Sequence, residues 1–326
     1  MKVSNGLLSM LVFGGIVAAP AAAQTYPAKP VRIVCPSPPG GGIDTLARLF
    51  GERLAKGLGQ PVVVDNKPGG SGNIGTEYVA RQAAPDGYTL LLNSDGVVTN
   101  TLVFNNLQYE PFRDFQPISI LTRNSWALVI NPKVPAQNLA EFIKLAKASP
   151  GALEYGSSGI GAPHHLAVEY FQAMAGVKLH HIPYKGAGQF IAAVMAGEVK
   201  AVITNLPQLL PHIQSGRVRA MGVWSENRIS FAPDIPTMKE QGLPGAAAAV
   251  GTWHALFAPA GTPRPIVNRL QSEIVKVLAD HEWVSARLAS VGFEPVGSTP
   301  EELLADMKFS LERWGKVVKD ASIPMQ

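Results

Sequence analysis

The sequence predicts an α/β protein, a mostly parallel sheet with helices on both faces, interleaved into two lobes. Three observations point there. Short apolar runs alternate with amphipathic stretches down most of the chain, the pattern of parallel strands joined by crossover helices. Two of the strand-to-helix turns are glycine-rich and built alike. The last third changes character and ends in two long amphipathic helices, with no low-complexity linker before them.

Taken in order, the first 23 residues read as a leader. Lys2 supplies a positive start, Leu7 to Ala19 form an apolar stretch of 13 residues, and Ala21-Ala22-Ala23 fits a small-residue cleavage site before Gln24. That stretch is shorter than the ~20 residues a membrane-spanning helix needs, so the mature chain is expected to be exported from the cytoplasm, cut near Ala23–Gln24. Val31, Ile33 and Val34 then suggest a short buried strand. Leu46, Leu49, Phe50, Leu54 and Leu58 follow as one helical stripe. Further strands are expected at VVVDN (62–66), TLLLN (89–93), ALVIN (127–131), LEYGS (153–157), KAVIT (200–204) and RAMGV (219–223). Helices are expected around 76–83 and at 138–149, 165–176, 188–198, 263–280 and 299–321, the last two opened by Thr-Pro. The expected division is 1–23 as signal peptide, 24–123 with 225–326 as lobe 1, and 124–224 as lobe 2. The chain would cross near Thr122–Trp126 and return near Val223–Ser225.

Composition narrows the function. With 46% hydrophobic and 16% charged residues the chain can build a large core, and removing Lys2 takes its formal charge from +4 only to +3. So small a charge, without basic clusters, argues against nucleic acid and is compatible with anionic small ligands. Cys35 is the single cysteine; it cannot form an internal disulfide and reads as a small buried hydrophobe.

The segment CPSPPGGGIDTLARLF (35–50) is a strand-to-helix turn. Its glycines leave backbone N–H groups open to an anion, which the helix macrodipole also favours. Asp44 is expected in the first turn, facing backbone N–H groups. LEYGSSGIGAPHHLA (153–167) repeats the grammar ~115 residues later, which suggests a cleft ligand held from both sides. GGSGNIG (69–75) matches G-x-G-x-x-G, but Asp65-Asn66-Lys67-Pro68 separate it from its strand and Asp86 lies in a turn. A structural loop is the better reading than a dinucleotide site. Around Ser158 the sequence GSSGI lacks the last glycine of a nucleophile elbow, and no P-loop occurs. The pairs His164-His165 and His180-His181 are neighbours that point apart, with no metal-ligand spacing. No metal and no cofactor is expected, and His165 reads as a packing or capping residue.

PSPPGGGIDTLAR, VVVDNKPGGSGNIGTEYVARQAAPDGYTLL, LEYGSSGIGAPHHLA, HIPYKGAG and NLPQLLPHIQSGRVRAMGV, in this order over nearly the whole mature chain, resemble the Bug (Bordetella uptake gene) or TctC family of periplasmic solute-binding proteins of tripartite tricarboxylate transporters. The resemblance implies the two-lobed type II periplasmic-binding fold with two crossover segments as hinge. It implies no enzyme, but a monomer that closes on a small organic carboxylate and meets integral membrane transporter subunits. Carried over, the ligand loops are Pro38 to Asp44, with Pro39, Gly40, Gly41, Gly42, Ile43 and Asp44, and Ser157 to His165, with Ser157, Ser158, Gly159, Gly161, Ala162 and His165. Ser94 and Asp95 after the TLLL strand and Thr204-Asn205 before NLP would add contacts. Ile43 and Ala162 stand where the family usually has Ser or Thr, Thr204 where many members have aspartate, and Ser37 where many have an aromatic. A di- or tricarboxylate or an aromatic acid therefore fits better than an amino acid. Two alternatives are a secreted hydrolase using Ser158 and His165, and a ligand sensor for a membrane receptor.

Overall fold

The computed structural model describes residues 26–225, 227–229, 231–243, 251–320 and 325. The expected leader and cleavage site lie outside the described residues. The chain opens with β1 (Val31–Cys35), α1 (Gly42–Leu58), β2 (Val62–Asn66), α2 (Asn73–Gln82) and β3 (Thr89–Ser94). Short turns α3 (Gly96–Thr99) and α4 (Pro111–Asp114) lead into the long strand β4 (Phe115–Ile130). There follow α5 (Leu139–Ala148), β5 (Glu154–Ser157), α6 (Pro163–Ala175), β6 (His180–Pro183), α7 (Ala187–Ala196), β7 (Ala201–Asn205), α8 (Leu206–Gln214) and β8 (Arg219–Val223). The chain then runs through β9 (Gly251–Pro259), α9 (Arg264–Leu278), α10 (His281–Trp283), β10 (Glu294–Pro295) and α11 (Pro300–Asp320).

The α/β reading holds: strands and helices alternate, and the sheet runs β2-β1-β3-β9-β4-β7-β5-β6. β1 is parallel to β2 and β3, and β5 is parallel to β6 and β7. The crossover helices α1, α2, α6 and α7 bring each parallel strand back in the same direction. Two elements are antiparallel to this pattern. β9 pairs with β3 on one side and with β4 from Phe115 to Ser125 on the other. Beyond Ser125, β4 exchanges partners and pairs with β7 and β8 from Trp126 to Ile130. One strand therefore serves two sheet halves. It is longer than the sequence suggests: only ALVIN carries an uninterrupted apolar signal, because Thr122 to Ser125 are polar where the strand leaves one half for the other.

Local chemistry explains several element ends. Gly59 takes the left-handed conformation (φ 68°) and closes α1 with its N–H on the Ala55 carbonyl at 3.0 Å. At α11 the Thr299 hydroxyl accepts from Glu302 N–H at 3.1 Å while the Glu302 carboxylate accepts from Thr299 N–H at 2.8 Å, a reciprocal capping box encoded in TPEE.

Leu46, Phe50, Leu54, Leu90, Leu256 and Leu270 share one core around α1 and α9. Leu128, Phe142, Tyr155, Phe171 and Ile203 share another around α5 and α6. Ile229, Ala232 and Ile235 pack with Ala127, Val202 and Val223, and Met238 and Leu243 join the Leu128 cluster. The segment 229–243 therefore belongs with the second lobe's strands. These apolar residues beyond Ser225 cover the face of β7 and β8. Helix α11 spans two clusters: Leu303 and Met307 pack with Leu91, Trp253 and Phe257, and Trp314 and Val317 join the Leu128 cluster.

Gly292 lies against Pro207 at the start of α8, in a left-handed conformation (φ 81°), so that a Cβ at this position would run into the proline ring. Gly292→Ala is expected to destabilise the protein by about 1–3 kcal/mol through backbone strain and this clash. Urea unfolding would check it, and an unchanged midpoint would mean that the segment yields freely.

Candidate functional site

In each half, parallel pairing places two of the anticipated segments at one sheet edge. β1 and β3 are parallel neighbours, so the loop Pro38–Asp44 and the pair Ser94–Asp95 both follow carboxyl-terminal strand ends. β5 and β7 are likewise parallel, so Ser157–His165 and Thr204–Asn205 do the same in the other half. Such carboxyl-terminal strand edges are where open α/β sheets hold ligands.

The first loop is a rigid polar frame. Asp44 is 2% exposed; its carboxylate accepts from Gly40 N–H at 2.8 Å, Arg48 Nε at 3.0 Å and Asn66 Nδ2 at 2.8 Å. Asn66 also donates to the Ser37 carbonyl at 3.0 Å. These donors hold the Asp44 carboxyl below the usual range against the opposing effect of its own burial. The side chain of Asp44 is thus committed to shaping the loop. Gly41 occupies the N-cap of α1 with no side-chain cap, so no side chain competes for the first-turn N–H groups. Gly40 takes φ 82°, which favours glycine. Ile43, expected to face the ligand, is partly buried against the core of its own lobe.

The second loop is held from beneath by histidines. Ser157 Oγ lies 2.6 Å from His181 Nε2 and accepts from Gly159 N–H at 3.1 Å. Ser158 Oγ lies 2.7 Å from His164 Nδ1. Gly161 N–H donates to His165 Nδ1 at 3.1 Å. The two adjacent histidines do point apart, His164 stacking on Trp126 and His165 stacking on His181 with ring centroids 4.8 and 4.3 Å apart. Nothing in the spacing reveals that His181 meets His165, since β6 and α6 are brought together only by β5. Ala162 begins α6 without a side-chain cap, matching the start of α1. The pair Ser158–His165, considered for a hydrolase, is not formed: Ser158 meets His164, and His165 is occupied by Gly161. Burial pushes His164 down to about 4, which makes it a weak base at neutral pH.

Thr204 is fully buried, and Thr204 Oγ1 and Asn205 Oδ1 have no hydrogen-bond partner among the described residues. Unpaired buried polar atoms are costly unless something else meets them. Between the lobes, Asp95 and Thr99 line a cavity of ≈ 20 Å³ together with Trp126, Pro163, Leu166 and Trp314, room for about one water molecule. Burial pushes the Asp95 carboxyl up to about 7, opposed by Arg313 and Arg123. Phe293 carries no signal in the sequence: it sits 3.9 Å from a Cβ placed on Gly42, packs edge-on against His254 at 5.3 Å, and follows the glycine that touches Pro207. It thereby connects the first loop to the start of α8. Among the described residues no cluster of His, Cys, Asp and Glu could hold a metal ion.

Residues 46–323 match the family described as the tripartite tricarboxylate transporter family receptor, TctC. The protein BugT of Bordetella pertussis is 37% identical over 312 residues, 95% of this chain and 94% of BugT. The chain belongs to the TctC family. Members of this family are periplasmic solute-binding proteins rather than enzymes. Among solved TctC-type structures, the periplasmic binding protein BugD is 35% identical, covers 92% of this chain and 100% of its own, and superposes with a TM-score of 0.73. An R. palustris protein with adipate is 34% identical (92% and 100% covered, TM-score 0.78). MatC from Rhodopseudomonas palustris with bound malate is 32% identical (90% and 100% covered, TM-score 0.72).

Asp44→Ala removes a buried acceptor of three hydrogen bonds and strands its donors. It is expected to cost about 2–4 kcal/mol in denaturant unfolding; a cost below about 0.5 kcal/mol would contradict the frame. The histidines set a pH dependence. His164, His181 and His254 are each lowered to about 4 by burial, so between pH ~6.5 and 4 the unfolded chain binds more protons than the folded one. Their contribution is present above pH ~6.5 and is lost as the pH falls towards 4. Asp95 acts in the opposite sense, since its raised value favours the folded state at low pH. Three groups against one predict a net loss of stability from pH 7 to 5, steeper in Asp95→Asn, measurable by urea unfolding at both pH values.

Proposed function

We propose that this protein captures a small organic di- or tricarboxylate, or an aromatic acid, in its interlobe cleft and delivers it to the integral membrane subunits of a tripartite tricarboxylate-type transporter. The observation that carries this reading is the pair of helices α1 and α6. Each follows a glycine loop and starts on a residue without a side-chain cap, one in each lobe. A carboxylate accepts charge-assisted hydrogen bonds from such N–H groups and gains from the macrodipole. Two helix starts suit an acid with a carboxylate at each end, as in the malate and adipate bound to the two R. palustris proteins. Gly40, Gly41 and Gly42 provide close backbone approach on one side, and Ser158, Gly159 and Gly161 on the other. The unpartnered Thr204 and Asn205 oxygens supply acceptors for a ligand hydroxyl or a bridging water. A ligand touching both lobes binds their closed arrangement best and shifts the population towards it. An exported chain with its leader removed near Ala23–Gln24 would meet such ligands in the periplasm.

A thermal-shift series with malate, adipate, citrate, benzoate and glutamate on the mature protein tests this. A carboxylate at 100 times its Kd is expected to add about 2.7 kcal/mol and to raise Tm by roughly 4–5 °C. Gly42→Val, which pushes towards Phe293 across the mouth of α1, is expected to weaken that binding about tenfold, or about 1.4 kcal/mol, with little change in unliganded stability. Turnover of an ester that Ser158→Ala abolishes, with no acid bound, would overturn the binding reading in favour of a hydrolase.

A further inference from the structure

Three residues of the second loop each rest on a different histidine. Ser157 meets His181, Ser158 meets His164, and Gly161 meets His165, at 2.6, 2.7 and 3.1 Å. The third contact fixes a protonation state. Gly161 contributes a backbone N–H, which can only donate, so His165 Nδ1 must carry a lone pair and its proton must sit on Nε2. On Nε2 that proton points towards Glu169 Oε1, 3.7 Å away. Glu169 is kept an acceptor by the Tyr155 hydroxyl and the Gln172 amide, each donating to Oε1 at 2.6 Å. A second proton on His165 would place Nδ1–H against Gly161 N–H, donor against donor, and break the contact.

We propose that His165 is a proton-sensitive latch that holds the loop Ser157–Ala162 in its ligand-ready shape when neutral and releases it when protonated. The inference rests on that loop being one jaw of the carboxylate site. His165 acts as a positioning residue, through Gly161.

The surroundings favour the neutral latch. His165 stacks on His181 at 4.3 Å, and Tyr155 stacks on His181 at 4.9 Å, so charging one imidazole opposes charging the other. His180 adds to this opposition from the adjacent strand position, Glu169 acts the other way, and burial outweighs it, holding His165 below the usual range and His181 at about 4. His164 lies between Trp126 and Phe190, with ring centroids 4.8 and 4.9 Å away, where burial alone disfavours its charge. A released loop frees His165 Nδ1 to take up a proton nearer the ordinary value of ~6.5, so mild acid favours release.

The latch can be tested before any ligand is added. Hydrogen exchange of the mature protein is measured at pH 7 and 5, corrected for intrinsic rates, with the β7 amides as a control for global unfolding. Protection of Gly159, Gly161 and Ala162 is expected to fall at least about tenfold at pH 5 while β7 stays protected. His165→Asn places a carbonyl acceptor near the Nδ1 position that cannot be protonated, and should keep Gly161 protected at both pH values. His165→Leu should lose that protection at both. Malate and adipate titrations at the same two pH values supply the ligand readout, with the ratio of wild type to His165→Asn cancelling titration of the acids themselves. Unchanged protection in the wild type, an equal fall in His165→Asn, or tighter wild-type binding in acid would overturn the latch. Protection that follows His165 without any acid binding would leave the latch standing and remove the carboxylate reading instead.

Discussion

Backbone hydrogen bonding along β4 is the constraint on which the rest of the molecule depends. A single strand that pairs with β9 up to Ser125 and with β7 and β8 from Trp126 onward makes both sheet halves share one continuous backbone. The positions of all four loop segments follow from it. β3 is placed through β9, and β5 through β7, so the loops after β1, β3, β5 and β7 all leave carboxyl-terminal strand ends. Thr122 to Ser125 are the polar interruption that lets this strand leave one core and enter the next. Helix α11 reinforces the link, since its two ends are buried in different cores.

At that edge the two lobes solve the same problem by different chemistry. Each presents a helix start without a side-chain cap. Lobe 1 stiffens its loop with charge: Asp44, Arg48 and Asn66 form a network that operates over the whole neutral range because the carboxylate is held ionised. Lobe 2 stiffens its loop with neutral imidazoles, whose hydrogen-bonding roles invert on protonation. The two loops are thus held by different means, one by an ionised carboxylate network and one by imidazoles.

Much of the fold is legible in the chain. VVVDN is β2 as expected, RAMGV is β8, and the stripe from Leu46 to Leu58 is α1. These elements carry their own signal, since period and apolar content are local properties. β9 is absent from the sequence expectations, although Trp253 to Ala258 are all buried, because an apolar run without flanking contrast does not announce its partners. The packing of Ile229, Ala232 and Ile235 has no local signal for a related reason: they are spaced by loop residues, and only contact with β7 and β8 assigns them to a core. At the site, the commitment of Asp44 to backbone and side-chain donors is expected from its place in the first turn. The inward turn of Ile43 onto its own core is not, because a loop residue's direction depends on what packs behind it.

The sequence by itself determined the α/β alternation, the two glycine-rich helix starts and the family, because each is written in residues close together or in an ordered set of motifs. The tertiary structure alone decided which side chains serve the loops and which remain open. Asn66, His181 and Phe293 lie on different elements from the loops they support, and Thr204 differs from an ordinary buried threonine only in lacking a partner. Such assignments rest on distances of about 3 Å between residues far apart in the chain. Hydrogen-bond energy falls away within an ångström of that distance, so only the packed fold can settle them.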